Sequence, residues 1–266
     1  MDYEHLIIAA DGPTLWVTMN RPERLNALNP KLVDELRHVF TDLYWKKEVR
    51  LVVLKGAGRG FCAGLDLKER NDGSNARRTV SDGLTSQRKI SEIVMAMRRC
   101  PQPIIACVNG PASGGGFALA LASDVRIGTP TTRMNAAFIR IGLSACDIGV
   151  SYFLPRMIGA SAASEFMLTG RFIDAARGRE LGLLSSVVEE AELDATAQGF
   201  VKDMLHATPL GLRLTKEALN HAIDAQSLEA AIAMEDRNQI LSAQGEDFAE
   251  GIAAFLEKRE PHYGGE

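Results

Sequence analysis

The stretch Asn109-Gly-Pro-Ala-Ser-Gly-Gly-Gly-Phe-Ala-Leu-Ala-Leu-Ala-Ser-Asp124 most narrows what this chain can fold into. The apolar run Ile104-Ile-Ala-Cys-Val108 before it reads as a buried strand, and the small-residue run Phe117–Ala122 within it as a buried helix. Strand, glycine-rich turn and helix start together aim free backbone N–H groups and the positive end of a helix at whatever lies above the turn. That arrangement suits a phosphate or a developing oxyanion. A tight packing turn that needs glycine for its backbone is the alternative reading.

A second stretch, Leu51-Val-Val-Leu-Lys-Gly-Ala-Gly-Arg-Gly-Phe-Cys-Ala-Gly-Leu-Asp66, repeats the pattern, with Gly56 and Gly110 at equivalent places. Repetition of this kind predicts adjacent turns of a strand-helix coil. Two neighbouring turns can each contribute one N–H to the same oxygen, which is the geometry of an oxyanion hole.

Length and charge then exclude several classes. A chain of 266 residues with 46 % apolar content can bury a sizeable core as one large domain, or one domain and an appendage. A net charge of −4 gives no global case for nucleic acid or an anionic membrane surface. No apolar run approaches membrane-spanning length, and the acidic start Met1-Asp-Tyr-Glu-His lacks the features of a signal or transit peptide. Cys62, Cys100, Cys107 and Cys146 form no C-x-x-C pair and read as reduced thiols, consistent with a cytoplasmic protein. The histidines are scattered without metal-ligand spacing, so no metal is expected.

Along the chain, Leu6–Ala9 and Leu15–Met19 read as a hairpin around Asp11-Gly12-Pro13. Asn29-Pro30 starts a helix, expected to run to about Lys47, that buries Leu32, Val33, Leu36, Val39, Phe40 and Leu43. Residues 67–83 are polar and read as a mobile loop, followed by a helix from roughly Thr85 to Arg99. Val125–Gly128, Met134–Ala137 and Ser186–Val188 are strand candidates. Helices are expected over Ser151–Met157, Ser161–Leu168 and Asp174–Leu181, with Asp174 as a cap. From Glu190 the pattern is helical throughout, which places a boundary near residue 195 and divides the chain into 1–195 and 196–266.

Phe61-Cys-Ala-Gly-Leu-Asp66 and Asn109-Gly-Pro-Ala-Ser-Gly-Gly-Gly116 resemble the two signature segments of the enoyl-CoA hydratase/isomerase (crotonase) superfamily. Asn20-Arg-Pro-Glu-Arg-Leu-Asn-Ala-Leu28, Leu168-Thr-Gly170, Ala175-Ala176, Gly182-Leu183 and the ending Gly251–Arg259 resemble it too. The resemblance implies an α/β fold, a spiral of repeated ββα units, with a C-terminal helical subdomain that makes a homotrimer or a dimer of trimers. It implies an acyl-CoA thioester as substrate, with coenzyme A as part of that substrate and no separate cofactor.

Matched residue by residue, the resemblance gives the two oxyanion donors to Leu65 and Gly115. The family's hydratases carry two glutamates, and this chain has Ala118 and Phe138 at those places. Neither transfers a proton. Asp147 stands where relatives have a catalytic aspartate, and single-carboxylate double-bond isomerisation is therefore the sharpest expectation, with hydration of a 2-enoyl-CoA as the alternative. In an apolar pocket with Ile148 and Phe138 nearby, the Asp147 carboxyl would be raised by desolvation. A cap of the following helix is its bland reading. The resemblance also places Arg24, Asn26, Ala27, Ala63, Asp66, Leu67, Lys68, Gly114 and Phe138 along the coenzyme A and acyl site. Phe255 and Lys258 fall at the adenine end, from the same or a neighbouring subunit; Arg24 and Lys68 also read as solvated surface. Asp124 reads as structural.

Two other classes compete. Ser113 loosely matches the nucleophile turn of Clp-type peptidases, yet no histidine follows it before His206. A non-catalytic acyl-CoA binder that kept the hole and lost the acids is the third reading.

Overall fold

The computed structural model describes residues 3–70 and 79–264. Strands β1 (Leu6–Asp11) and β2 (Thr14–Met19) form the expected antiparallel hairpin, turned at Gly12 with φ of 54°. Helix α1 (Pro30–Asp42) follows, with Asn29 accepting from the Leu32 N–H at 2.9 Å and Pro30 at the first position. It is shorter than the pattern predicts, because residues Leu43–Trp45 tighten into a 3-10 turn. Its buried stripe is the expected one, Leu32, Val33, Leu36, Val39 and Phe40, extended by Leu43.

Next come β3 (Leu51–Gly56), the short α2 (Leu67–Arg70) and α3 (Val80–Arg99). Residues 71–78 of the polar stretch read as a loop lie outside the described residues. Its two ends are helical instead. Helix α3 starts before Thr85 because Thr79 and Asp82 cap it reciprocally, Thr79 Oγ1 accepting from the Asp82 N–H and Asp82 Oδ2 from the Thr79 N–H.

The next coil comprises β4 (Ile104–Val108), β5 (Pro111–Ser113) and α4 (Gly115–Ala122). After it come β6 (Val125–Gly128), β7 (Arg133–Asn135), α5 (Val150–Ile158), α6 (Ala160–Thr169), β8 (Ile173–Asp174), α7 (Ala175–Glu180) and β9 (Ser186–Val187). Asp174 caps α7 as expected, accepting from the Arg177 N–H at 2.8 Å.

Two sheets stack these coils. The larger has the order β1-β2-β3-β4-β6-β9, parallel from β2 onward; the smaller has β5-β7-β8. Parallel bridges Leu28↔Leu65 and Cys62↔Ala112 extend the smaller layer across the first coils. The coils that start with β3 and β4 each supply a long strand, a sharp glycine turn, a short extended piece and a helix, the repetition read from Gly56 and Gly110. Strand β4 and helix α4 are buried along their whole length, as continuous apolar runs require.

Helices α8 (Leu193–Leu205), α9 (Pro209–Ala222), α10 (Leu228–Ala243) and α11 (Glu246–Glu257) complete the chain. Leu193, Ala197 and Val201 of α8 cover one face of the large sheet over Leu51, Val53, Ile105 and Ile127. In contrast, α10 buries no residue. No described helix is long and apolar enough to cross a membrane.

Candidate active site

Two glycine turns meet where the coils touch. The Leu28 N–H donates to Gly64 O at 2.7 Å and the Asp66 N–H to Leu28 O at 3.0 Å. That bridge uses the groups flanking Leu65 and turns Leu65's own N–H to the opposite side, where no acceptor among the described residues meets it. Gly115 opens α4, so its N–H is unused by the helix. The residue before it, Gly114, has φ 51° and ψ −114°, a conformation that glycine alone adopts readily.

The turns are in van der Waals contact. A Cβ on Gly64 would sit 2.6 Å from Ser113 O and 3.3 Å from Gly115 N. Glycine there is what lets one coil's N–H approach the next. The space in front of Gly115 is lined by Leu28 and Ile148, whose Cδ1 atoms lie 2.7 and 3.8 Å from where its Cβ would be. Phe138 covers Gly114, its Cε1 3.4 Å from the corresponding Cβ position.

A buried framework holds the first turn. Arg21, which reasoning from the sequence did not single out, donates to Ala27 O, Asp66 Oδ2 (3.0 Å) and Glu69 Oε2 (3.1 Å). Burial works against the Asp66 carboxylate, but the Glu69 N–H and the Arg21 guanidinium hold its pKa below the ordinary value. Asn26 is fully buried: its Oδ1 accepts from the Arg21 N–H, and its Nδ2 donates to Ala57 O and Gly60 O. Both side chains brace the turn, so any contact they make with a ligand falls to their backbone. Asn109 braces the second turn in the same way, donating to Gly56 O and Gly58 O.

Asp147 lies next to Ile148 at the wall. It is half-buried, and its pKa is raised, chiefly by burial, against the hydrogen bonds from the Ile148 N–H (2.8 Å) and Gln87 Nε2 (2.6 Å). It is not the cap of α5. That place belongs to Gly149, with φ 94° and no side-chain capping bond. Ile148 itself has φ 37°, an uncommon backbone for a β-branched residue. Gln87 arrives from α3, sixty residues upstream, and nothing in the sequence marks it.

The remaining expected residues spread outward. Ala27 is buried and Ala63 partly so, its N–H donating to Leu25 O at 2.9 Å. Arg24, Leu67 and Lys68 are exposed. Phe255, 83 % exposed, and Lys258 lie at the end of α11, and no hydrogen bond joins them to the glycine turns. Ala118 is fully buried in α4. Asp124 is structural as expected: it accepts from Arg98 Nη1 and the Ile104 N–H and pairs with Lys216. Cys62 sits between the two turns, but burial pushes its thiol up to about 12, which removes it as a nucleophile. His206, the histidine a Ser113 peptidase would need, is engaged with Glu260.

Chemically, the two coils in contact here carry two backbone donors with no acceptor among the described residues, apolar side chains beside Gly115, and one half-buried carboxylate. Known proteins are similar to this chain over nearly its whole length. A family profile described as enoyl-CoA hydratase/isomerase matches residues 12–266. The chain is 39 % identical over 251 residues to the Mycobacterium leprae protein named "Probable enoyl-CoA hydratase echA12", spanning 91 % of this chain and 84 % of that one. It is 33 % identical over 263 residues to the 1,2-epoxyphenylacetyl-CoA isomerase of Escherichia coli, spanning 98 % and 99 %. The crystal structure of an enoyl-CoA hydratase from Bacillus anthracis is similar with a TM-score of 0.92 at 32 % identity, covering 99 % of this chain and all of that one. A profile over nearly the full length, close relatives on both sides of the hydratase–isomerase divide and a shared fold place this chain in the enoyl-CoA hydratase/isomerase (crotonase) family, and it is an enzyme of that family.

Proposed function

We propose that this enzyme moves a double bond in an acyl-CoA thioester, with Asp147 as the single acid/base. The observation that carries the reading is the pairing of two free N–H groups, Leu65 and Gly115, with one half-buried carboxylate of raised pKa. The thioester oxygen sits between the two donors. The Asp147 carboxylate takes a proton from the carbon next to the carbonyl, and the bonding electrons flow to the carbonyl oxygen as an enolate. Each backbone donor stabilises that charge by roughly 2.7–4 kcal/mol. The carboxyl then returns the proton two carbons further along, the carbonyl re-forms and the double bond has shifted. Burial suits Asp147 to the first half, because a raised pKa makes a carboxylate a better base.

Around this centre, Arg24 and Lys68 face the phosphates of coenzyme A. Phe255 and Lys258 face its adenine end. Residues 1–195 form the catalytic spiral and 196–266 the helical part that assembles a homotrimer or a dimer of trimers.

Hydration of a 2-enoyl-CoA is the second reading, and the names of the relatives favour it. Ala118 and Phe138 argue against the two-glutamate version, since both positions are apolar and buried. A mass-spectrometric screen in deuterated water with crotonyl-CoA, 3-enoyl-CoA, 3,5-dienoyl-CoA and aryl-CoA esters separates the two. Conversion of the 3-enoyl-CoA into a chromatographically distinct product of unchanged carbon and oxygen content marks isomerisation, with deuterium taken up only as far as the Asp147 carboxyl exchanges with solvent; addition of water to crotonyl-CoA marks hydration and overturns the main reading. Asp147→Asn should lower turnover by about 10²–10⁴-fold while leaving affinity for the ester nearly unchanged. Unchanged turnover would remove Asp147 from the mechanism.

A further inference from the structure

The two oxygens of Asp147 are not equivalent. Oδ1 accepts twice, from Gln87 Nε2 at 2.6 Å and from the Ile148 N–H at 2.8 Å. Oδ2 meets no hydrogen-bond donor and no cation among the described residues. Ile148 is locked into its part by the turn, where both it and Gly149 have positive φ. Gln87 is different, because packing does not fix it. Every residue from Val80 to Lys89 on α3 is exposed. Side-chain bonds tie this half of the helix to the body: Gln87 to Asp147, and Lys89 to Asp34.

We propose that Gln87 is a positioning residue for proton transfer: it occupies Oδ1 and so leaves Oδ2 as the oxygen that takes and returns the proton. This rests on the reading of Asp147 as the acid/base. A neutral amide suits the task for a specific reason. Its N–H can bond Oδ1 both when the carboxyl is ionised and when Oδ2 carries the proton, so the side chain is held through both halves of the transfer. A lysine or arginine in its place would hold the ionised form so strongly that the base would be weak.

The charged groups on the surrounding elements are engaged elsewhere. On α3, Arg88 pairs with Glu92 and Lys89 with Asp34; on α5, Arg156 pairs with Asp224; Arg140 lies over the Phe172 ring. None of them shifts Asp147, whose balance is set by burial upward and by the Ile148 and Gln87 bonds downward. Removing the Gln87 bond therefore leaves burial less opposed. The pKa rises, and since the base must be ionised, the acid limb of kcat/KM moves to higher pH.

The test is Gln87→Leu, which keeps the size of the side chain and removes the donor. Against a 3-enoyl-CoA ester, the acid limb should move up by about one pH unit. Below the limb, activity should fall about tenfold, with affinity for the ester little changed. Gln87→Glu should move the limb further, because a second carboxylate opposes ionisation of the first. A direct readout needs no turnover: in protein with 13C-labelled aspartate carboxyls, the resonance lost in Asp147→Asn should titrate at higher pH in Gln87→Leu. A lowered plateau with limb and resonance at the parent's pH would overturn the proposal and reduce Gln87 to a helix tether. In that case, loss of turnover in Asp147→Asn would leave the acid/base reading standing, whereas unchanged turnover there would overturn both.

Discussion

Gly115 and Gly116 are neighbours in one turn, yet they are glycine for different reasons. A Cβ on Gly116 would lie 2.0 Å from Cys62 O, a backbone atom in a buried coil that has nowhere to go. At Gly115 the nearest obstacle is Leu28 Cδ1, the far end of a buried side chain, with Gly64 Cα and Ile148 Cδ1 beyond it at 3.8 Å. Gly116 is needed for the coils to stack, whereas in the proposed function Gly115 is needed for the thioester to reach the N–H groups. Gly115→Val should therefore fold, with circular dichroism and melting close to the parent, while turnover drops at least about 100-fold as the hole is obstructed. Turnover at the parent's rate would show that the carbonyl does not sit there. The glycines were legible in the sequence because close backbone approach leaves a residue type behind. Asp147 was legible as a candidate, but its surroundings were not. The positive φ of Ile148, the cap role of Gly149 and the reach of Gln87 across sixty residues are properties of the folded turn, with no local signature.

Among the elements, α9 shows how a helix outside the spiral is fastened to it. Lys216, 4 % exposed, donates to Met97 O at 3.1 Å and Gln102 O at 2.7 Å and pairs with Asp124 Oδ2 at 3.1 Å. Asn220 adds a bond to Arg98 O. The ammonium thus closes the C-terminal end of α3, where the last carbonyls lack helical partners. Lys216→Met fills similar space but leaves these acceptors unpaired, and it should cost about 3–5 kcal/mol in urea denaturation. A loss within a few tenths of that of a surface lysine would show the anchor to be idle. The sequence reading found nearly every element, since strands and helices buried on one face carry their period openly. It missed the start of α3 because that half buries nothing and so shows no apolar stripe; the Thr79–Asp82 capping pair was the available signal. It overran α1 because the buried Leu43 keeps the helical spacing after the helix has tightened into a 3-10 turn.

For the whole molecule, the apolar surface is unevenly spread. The last helices expose Leu219, Ile223, Leu228, Ile240, Leu241, Phe248, Ile252, Phe255 and Leu256. Exposed apolar residues gathered on the last helices fit the proposed homotrimer or dimer of trimers. Light scattering at micromolar concentration should return three times the mass of the chain, or six. A mass of one chain would contradict the assembly. The sixteen-residue helix α10 sharpens the point, since none of its residues is fully buried within its own chain and helices near that length are marginal alone in water. If neighbouring copies supply its packing, its order is a mass-action quantity rather than a property of one molecule. Dilution would then loosen the C-terminal end before the spiral: protease would trim the chain back toward α9, and the first melting transition would climb with protein concentration, while the two glycine turns, sealed within a single coil stack, melted at a temperature indifferent to it.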